Sequence, residues 1–162
     1  MSFNAHQLAY VSQALMAKLC VGIVVLVLAA AGPALGQTAA GRIKTVSGTA
    51  FVGRQGSEIA AVAGQPVFEA DALRTGADGR LALTLKDETR LSLGPNSDVR
   101  LEKFLYAPGE ARLGFTLRIA RGLLAYVSGR IAKLSAENVR LETPTAIIGV
   151  RGTRLVIQVE QP

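Results

Sequence analysis

Apolar and polar residues alternate along most of the chain from Gly41 onward, and this alternation restricts the possible folds more than any other feature. The stretch LALTLKD places Leu81, Leu83 and Leu85 on one side of an extended backbone, with Ala and Thr on the other. Alternation with a period of two is typical of half-buried β-strands. Turn signals rich in Gly, Pro, Asn and Asp, such as GPNS at 94–97, recur about every eight to ten residues. The sequence therefore predicts an all-β domain.

The arrangement of these strands is less restricted than their presence. A sandwich, a barrel and a solenoid all accommodate strands at this spacing. Residues 81–101 are weakly self-similar, which favours short antiparallel strands in a compact sandwich or a solenoid-like β unit. Residues 116–133 have apolar residues at helix-like spacings, but Gly122 and Gly129 interrupt them, so we predict strand there.

The beginning of the chain has a different composition from the rest. Residues 19–36 carry no charge, Lys18 stands directly before them, and Pro33 is followed by small residues. This layout is typical of a signal peptide, so we predict a hydrophobic signal helix and cleavage before Gln37. The alternative is an uncleaved membrane anchor, because the apolar run approaches the ~20 residues that span a bilayer.

These features predict two parts, a signal peptide over residues 1–36 and one β domain over residues 37–162. Residues 1–15 contain no Lys or Arg, which a signal peptide normally has at its start. Translation is therefore predicted to begin at Met16, and the alternative is a signal peptide with a long first region. The expected location is the periplasm or the exterior after cleavage. An uncleaved leader would instead anchor the protein in the inner membrane.

Histidine and cysteine are confined to the leader, as His6 and Cys20. The predicted domain therefore has no thiolate nucleophile, no imidazole base and no His or Cys metal ligand. Its acidic segments at 71–78 and 87–88 have turn-like sequences, which favours turn formation over catalysis by paired carboxylates. We expect no enzymatic activity, no cofactor and no metal site.

The predicted domain is basic, with 17 Lys and Arg residues against 12 Asp and Glu residues in positions 37–162. A basic exported domain suits an envelope protein or another anionic envelope component as its partner. Nucleic acid is not expected outside the cytoplasm, and a membrane would be contacted only through an uncleaved leader. The charges are scattered singly along the sequence, which also fits a merely solvated surface.

The stretch TPTAIIGVRGT at 143–153 combines a Thr-Pro pair with an arginine between glycines. Pro144 favours an extended residue before it and the start of a new strand after 139–142. The apolar run 146–150 predicts a strand buried on both faces. Gly152 suits the position of positive φ in a type II turn, where Arg151 can bond carbonyls or a carboxylate. A nucleotide-binding loop does not fit, because β-strand sequence flanks the glycines.

Several ordered segments together resemble the FecR-domain family across residues 42–159. They are VSGTAFV at 46–52, GQPV at 64–67, DALRTG at 71–76, the strand pair of 81–93 with its GPNS turn, and TPTAIIGVRGTRLVIQV at 143–159. The motif residues, which also form a candidate interaction site, are Thr143, Pro144, Gly149, Arg151, Gly152 and Thr153.

The resemblance implies a stand-alone exported FecR domain. The best-known members of the family are iron-uptake regulators. They look like three-part proteins, with a cytoplasmic anti-sigma segment, a membrane helix and a periplasmic sensor domain. Only 18 residues precede the apolar run here, so the anti-sigma segment is expected to be absent. The expected function is non-catalytic binding of a protein or envelope component in the periplasm. The alternative is a membrane-anchored signalling protein with an uncleaved helix.

Aromatic residues are few, and most of them are expected to fill the core. Phe104 and Tyr106 lie two positions apart in KFLYAP and share one face of a predicted strand. If exposed, they would form a surface for a partner.

Overall fold

The computed structural model describes residues 37–152 and 154–160, so the predicted signal peptide at 1–36 lies outside the described residues. Almost all of the regular structure in the described part is β. The strands are β1 Gly41–Ser47, β2 Ala50–Arg54, β3 Ser57–Ala60, β4 Pro66–Val67, β5 Ala72–Thr75, β6 Arg80–Leu85, β7 Arg90–Leu93, β8 Asp98–Ala107, β9 Arg112–Val127, β10 Val139–Glu142, β11 Ile147–Gly149 and β12 Arg154–Val159. One short helix, α1 Arg130–Leu134, and 3₁₀ turns at Pro108–Glu110 and Ala136–Asn138 complete it.

The strands form one curled sheet that resembles half of a barrel. Its main order is β3-β2-β5-β8-β9-β7-β6-β1-β4, and β10 and β12 add to the other edge of β9. The all-β prediction is confirmed. The strands are mostly antiparallel, as predicted, but they curl into half of a barrel instead of the expected sandwich or solenoid-like unit. Two details also differ from the expected short antiparallel strands: β9 has 16 residues, and β10 pairs with it in parallel.

Strand β9 divides the sheet into two parts because each half of it has different neighbours. Residues 112–121 pair with β8 and β10, and residues 122–127 pair with β7 and β12. Gly122, between the halves, has a φ of +92°. We call β1, β4, β6, β7, β12 and residues 122–127 sheet A, and the remaining strands with residues 112–121 sheet B.

The core lies on the concave side, where the alternate apolar residues of both sheets meet. Leu81, Leu83 and Leu85 are all buried, as the alternation predicts. Phe115 of sheet B packs against Tyr126 of sheet A, with ring centroids 6.0 Å apart. Turns predicted around Gly and Pro connect consecutive strands, including the turn at 94–97 between β7 and β8. The sequence pattern therefore identifies both the core face and the turns.

Two local predictions from the sequence were wrong. The strand predicted for 116–133 ends at Val127, and α1 follows because Ile131 and Ala132 are buried against the core. The run 146–150 was expected to be buried on both faces, but β11 pairs only with β10 among the described strands. Ile147 is consequently 70% exposed. No helix in residues 37–152 and 154–160 has the length and apolar character needed to cross a bilayer.

Candidate functional site

The Thr143-Pro144 pair forms the turn of the hairpin between β10 and β11. The Thr143 N–H donates to the Ala146 carbonyl at 2.8 Å, and the Ala146 N–H donates to the Thr143 hydroxyl oxygen at 3.0 Å. Pro144 has no N–H and disfavours helical backbone before it, which suits this turn. The predicted break between a strand at 139–142 and a new strand is confirmed.

The glycine-flanked arginine follows directly after β11. Gly149 lies on the exposed edge strand opposite Arg140, and Gly152 has a φ of +63°. The pKa of Glu137 is lowered by the Ser135 hydroxyl and, to a smaller extent, by the charge of Arg151. The expected bond of Arg151 to a carbonyl or a carboxylate stays a prediction. Thr153 lies outside the described residues.

A groove opens between the 143–146 turn and the end of β12. On this edge of β9, β10 pairs only as far as Arg118, and β12 pairs from Gly122 onward. No described strand covers the three residues between them. The groove encloses about 570 Å³, and its lining is Ala120, Thr143, Pro144, Thr145, Ile148, Ile157, Gln158, Val159 and Glu160.

A second groove lies on the other side of the Thr143-Pro144 turn. It encloses about 430 Å³ and shares Ala120 with the first groove. Its outer wall carries Ile147 and the ion pair between Arg118 and Glu142, with an N–O distance of 3.2 Å. Thr143 and Pro144 of the predicted motif line both grooves, and each groove has apolar and polar lining residues, as binding sites commonly do.

The sequence of this region matches the model of a known protein family. The family model described as FecR protein matches residues 71–162, which is more than half of the chain. The chain belongs to the FecR family. No curated protein and no solved structure matches it. The FecR family is regulatory, so this chain carries a regulatory or signalling-related domain.

The FecR match includes β5 to β12 and thus both grooves and the motif. The segments at 46–52 and 64–67, which also resemble the family, precede the matched residues. In the structure they nonetheless belong to the same sheet, since β2 pairs with β5 and β1 pairs with β6. The FecR domain of this chain therefore uses strands on both sides of residue 71.

Phe104 and Tyr106 lie on one side of β8, and that side faces the core. A β-bulge between Leu101 and Lys103 reverses the alternation, so that even-numbered residues point inward after it. Both rings are half-buried and pack against the core. They are thus only partly accessible, and the suggestion that they contact a partner stays a prediction.

The acidic segment at 71–78 begins with a buried carboxylate. Asp71 accepts two hydrogen bonds of 2.8 Å from the Arg54 guanidinium and another of 2.8 Å from the Phe68 N–H. Its hydrogen bond to Asp71 raises the pKa of Arg54, whose guanidinium also lies 4.3 Å above the Phe68 ring centroid. Asp71 therefore holds β2 and the loop before β5 together.

Asp87 has a similar structural role at the other end of the core. It is fully buried, and its carboxylate accepts bonds from the Thr89 hydroxyl at 2.7 Å and from the Ile131 N–H at 3.4 Å. It thereby ties the β6–β7 turn to the start of α1. Among the described residues, no group of three His, Cys, Asp or Glu side chains is placed to hold a metal ion.

Two features of the site were not predicted from the sequence. One is the groove, which exists because β10 and β12 leave a gap along β9. The other is the distribution of charge: the charged residues in the strands of sheet A are all basic, whereas the strands of sheet B contain both basic and acidic residues. Counting charges along the chain could not reveal either, because neighbours in the sheet come from distant positions. Sorting the charges by strand and by alternation would have indicated the second.

Proposed function

We propose that this protein is an exported FecR domain that acts in regulation without catalysis, by binding a protein or another envelope component in the periplasm. The observation that carries the proposal is the position of the grooves. They lie on both sides of Thr143 and Pro144, within the residues that match the FecR family. Exposed Ile147 at one groove and Val156 on β12 add apolar surface to this region.

The bonding of the buried acids supports binding rather than catalysis. The carboxylates of Asp71 and Asp87 are fully engaged with the chain itself, through Arg54, Thr89 and backbone N–H groups. A general acid or base needs a geometry that lets it reach a substrate proton. Neither group lines one of the grooves.

A membrane-anchored regulatory protein is the second candidate. The uncharged residues 19–36 support it, because a run of this length approaches what a bilayer-spanning helix needs. In that case the FecR domain would act in the same compartment, held at the inner membrane by its N-terminal segment.

Site-specific photo-crosslinking in cells tests the proposal and separates the two candidates. A photoreactive residue at Ile147 would sample the groove, and one at Val62 would serve as the control. Val62 is an exposed apolar residue beyond β3, at the opposite edge of sheet B. A C-terminal tag allows the N-terminus of the protein and its crosslinked partner to be identified by mass spectrometry.

We expect a chain that begins at Gln37 and an envelope partner captured from position 147 but not from position 62. Ala120→Trp should fill both grooves and abolish this crosslink, whereas Thr116→Trp, on the same face of β9, should retain it. A retained leader with the same partner would favour the anchored form. Equal capture from both positions, or none, would contradict binding at the grooves.

A further inference from the structure

The strands of sheet A contain basic residues but no acidic residue. Five Lys and Arg side chains lie on them, and all five are exposed: Arg42, Lys44, Arg80, Arg90 and Arg154. Arg42 donates a hydrogen bond of 3.1 Å to the Gly64 carbonyl, which leaves its charge unneutralised.

The outer face of sheet B has a different charge pattern. There Arg74 lies between Glu58 and Asp98, with N–O distances of 3.2 Å to each. Arg118 lies between Glu102 and Glu142, at 3.5 and 3.2 Å. Mixed charges of this kind are ordinary for a solvated surface, and such exposed pairs add little stability. The unmixed positive charge of sheet A therefore needs a different explanation.

Three of the basic residues of sheet A lie in one row across the strands. The pairing register places Arg42 beside Thr84, Thr84 beside Arg90, Arg90 beside Val127 and Val127 beside Arg154. Each arginine is two strands from the next, which corresponds to about 10 Å because neighbouring strands lie about 4.8 Å apart. The row crosses five strands and ends at Arg154, the first residue of β12.

The adjacent row of the same face consists of small side chains. It is formed by Thr45, Ala82, Ser92, Ala125 and Val156, which are neighbours in the pairing register. A row of small residues beside a row of arginines makes a flat surface that another backbone can approach closely. Guanidinium groups at its margin can then form paired hydrogen bonds to carboxylates.

The acidic residues nearest to these strands in sequence are Asp78, Asp87 and Glu88 in turns and Glu160 directly after β12. Asp78 accepts a bond of 3.2 Å from the Thr49 N–H, and Glu88 pairs with Arg130 at 2.9 Å. Asp87 is buried. Asp78 and Glu160 keep their charge, but both lie outside the strands, so the strands of the face themselves have five basic residues and no acidic residue.

We propose that the outer face of sheet A is a docking surface for an acidic segment of a partner protein. The proposal rests on the binding function proposed above and adds the chemistry of the partner. Charge complementarity of this kind guides encounter and fixes the orientation of the complex. The arginine row would bind carboxylates spaced about 10 Å apart, which matches every third residue of a chain in polyproline-II conformation, with a rise of about 3.1 Å per residue.

The composition of the face favours a protein over other polyanions. The only aromatic residue in the strands of sheet A is Tyr126, and it is buried. Helices that bind at membrane surfaces use Trp, Phe or Leu to enter the bilayer. Proteins that bind single-stranded nucleic acid stack its bases on aromatic rings. Leu123 and Val156 are exposed apolar residues of the face, but no aromatic ring on the described strands accompanies them. Small side chains with arginines at their margin therefore suit an acidic peptide better than either.

A binding titration with a glutamate oligomer tests the chemistry. Five strands span about 20 Å, which an extended chain of about eight glutamates exceeds. Fluorescence anisotropy would be measured with the full-length tagged protein, the labelled oligomer and a glutamine oligomer of the same length. We expect binding of the glutamate oligomer only, weakened by added salt.

Two substitutions with the same change of charge localise the binding. Arg90→Glu removes the central arginine of the row and should weaken binding about tenfold or more, as the loss of charge-assisted bonds implies. Arg140→Glu changes an exposed arginine on the outer face of sheet B and should have a less than about twofold effect. Arg154→Glu, at the edge of the sheet, provides a second test if Arg90→Glu does not fold.

Three results of these binding measurements would overturn the proposal. Equal weakening by Arg90→Glu and Arg140→Glu would mean that only net charge matters and would overturn the proposal. Absence of binding to the glutamate oligomer would also overturn it. So would stronger Arg90-dependent binding to vesicles of phosphatidylethanolamine and phosphatidylglycerol, because a membrane would then occupy the face.

A crosslinker at Ser92 distinguishes failure of this proposal from failure of the proposed function. Capture from Ser92 of a protein segment rich in Asp and Glu supports the surface. If position 147 captures a partner but Ser92 does not, the binding function stands and the basic face is not its docking surface. If neither captures one, both proposals fail.

Discussion

Gly152 and Gly122 both have positive φ angles, but their surroundings differ. A Cβ atom added at Gly152 would meet nothing within 4 Å, so only the backbone conformation requires glycine there. At Gly122 an added Cβ would overlap the Cα and the side chain of Ser97. The two positions therefore separate backbone strain from steric exclusion.

Replacement of Gly152 by valine should lower the free energy of unfolding by about 1–3 kcal/mol, because a β-branched residue is strained at a φ of +63°. Thermal unfolding of the full chain measures the effect. Gly149→Val is the control, since Gly149 lies in β11 with open space around it and strands favour valine. Unchanged thermal stability of Gly152→Val would remove the strained turn from the description of the motif.

Single residues differ in how well the sequence predicts their roles. The need for glycine at 152 follows from its local sequence, because turn chemistry is a property of neighbouring residues. The roles of Ser97 and Asp87 do not follow. The Ser97 hydroxyl bonds to the Leu123 backbone, and the Asp87 carboxylate to the Ile131 N–H. Those contacts join residues at least 26 positions apart, which no local pattern can show.

Strand β9 is the element on which the shape of the sheet depends. It contributes to both sheets, and the change of neighbours occurs at Gly122, where the β7–β8 turn approaches the backbone closely. Replacement of Gly122 by alanine should destabilise the protein by more than about 3 kcal/mol, since strain at positive φ and overpacking against Ser97 both oppose it.

Urea unfolding of Gly122→Ala and Gly152→Ala provides the comparison. The second variant has a positive φ without the steric conflict, so it should lose only about 1 kcal/mol. Similar losses for both variants would show that the contact with Ser97 does not determine the path of β9.

Tyr126, in the second half of β9, gives the fold a dependence on alkaline pH. Burial, and then the charge of Asp87, raise the pKa of Tyr126 from 10.0 to about 12. Because the folded protein favours the neutral phenol, this stabilisation is complete below pH 10 and is lost as pH rises through about 12. The loss should be roughly 2–3 kcal/mol, as expected for a shift of about two pKa units.

Tyr126→Phe should remove this component of the alkaline destabilisation. Urea unfolding of the wild type and the variant, below pH 10 and near pH 12, measures the difference, and tyrosinate absorbance reports the titration itself. Parallel losses of stability in both proteins over this range would show that Tyr126 ionises equally in the folded and unfolded chain.

At the scale of the whole molecule, the FecR match and the folded unit do not coincide. The match begins at Asp71, but β1 and β2 cover the edges of β6 and β5 and bury Ile43 and Val52. A chain shortened to residues 71–162 would leave these edges and part of the core exposed.

We expect such a fragment not to fold, whereas a chain starting at Gln37 should fold. Loss of Ile43, Val52 and Val67, each worth about 1.5–3 kcal/mol when buried, removes an amount comparable with the whole stability of a typical domain. Circular dichroism measures the strand content of the two chains, and thermal unfolding shows whether each unfolds cooperatively. A cooperative transition in the shorter one would contradict the assignment of β1–β4 to the same folding unit.

The sequence by itself determined that the domain consists of strands, which side of most strands faces the core and where most of the turns lie. These properties depend on the period of two and on neighbouring residues, so local patterns contain them. The FecR motif is local in the same sense. Its turn at Thr143 and the positive φ at Gly152 were therefore predictable.

Only the tertiary structure decided how the strands join. The passage of β9 from one sheet to the other, the exposed position of β11 and the inward direction of Phe104 depend on pairing between distant segments or on a bulge. The grooves beside the motif and the basic face of sheet A arise in the same way. Strand pairing brings Arg42, Arg90 and Arg154 into one row although 112 positions separate the first from the last, because register is set by packing rather than by sequence distance.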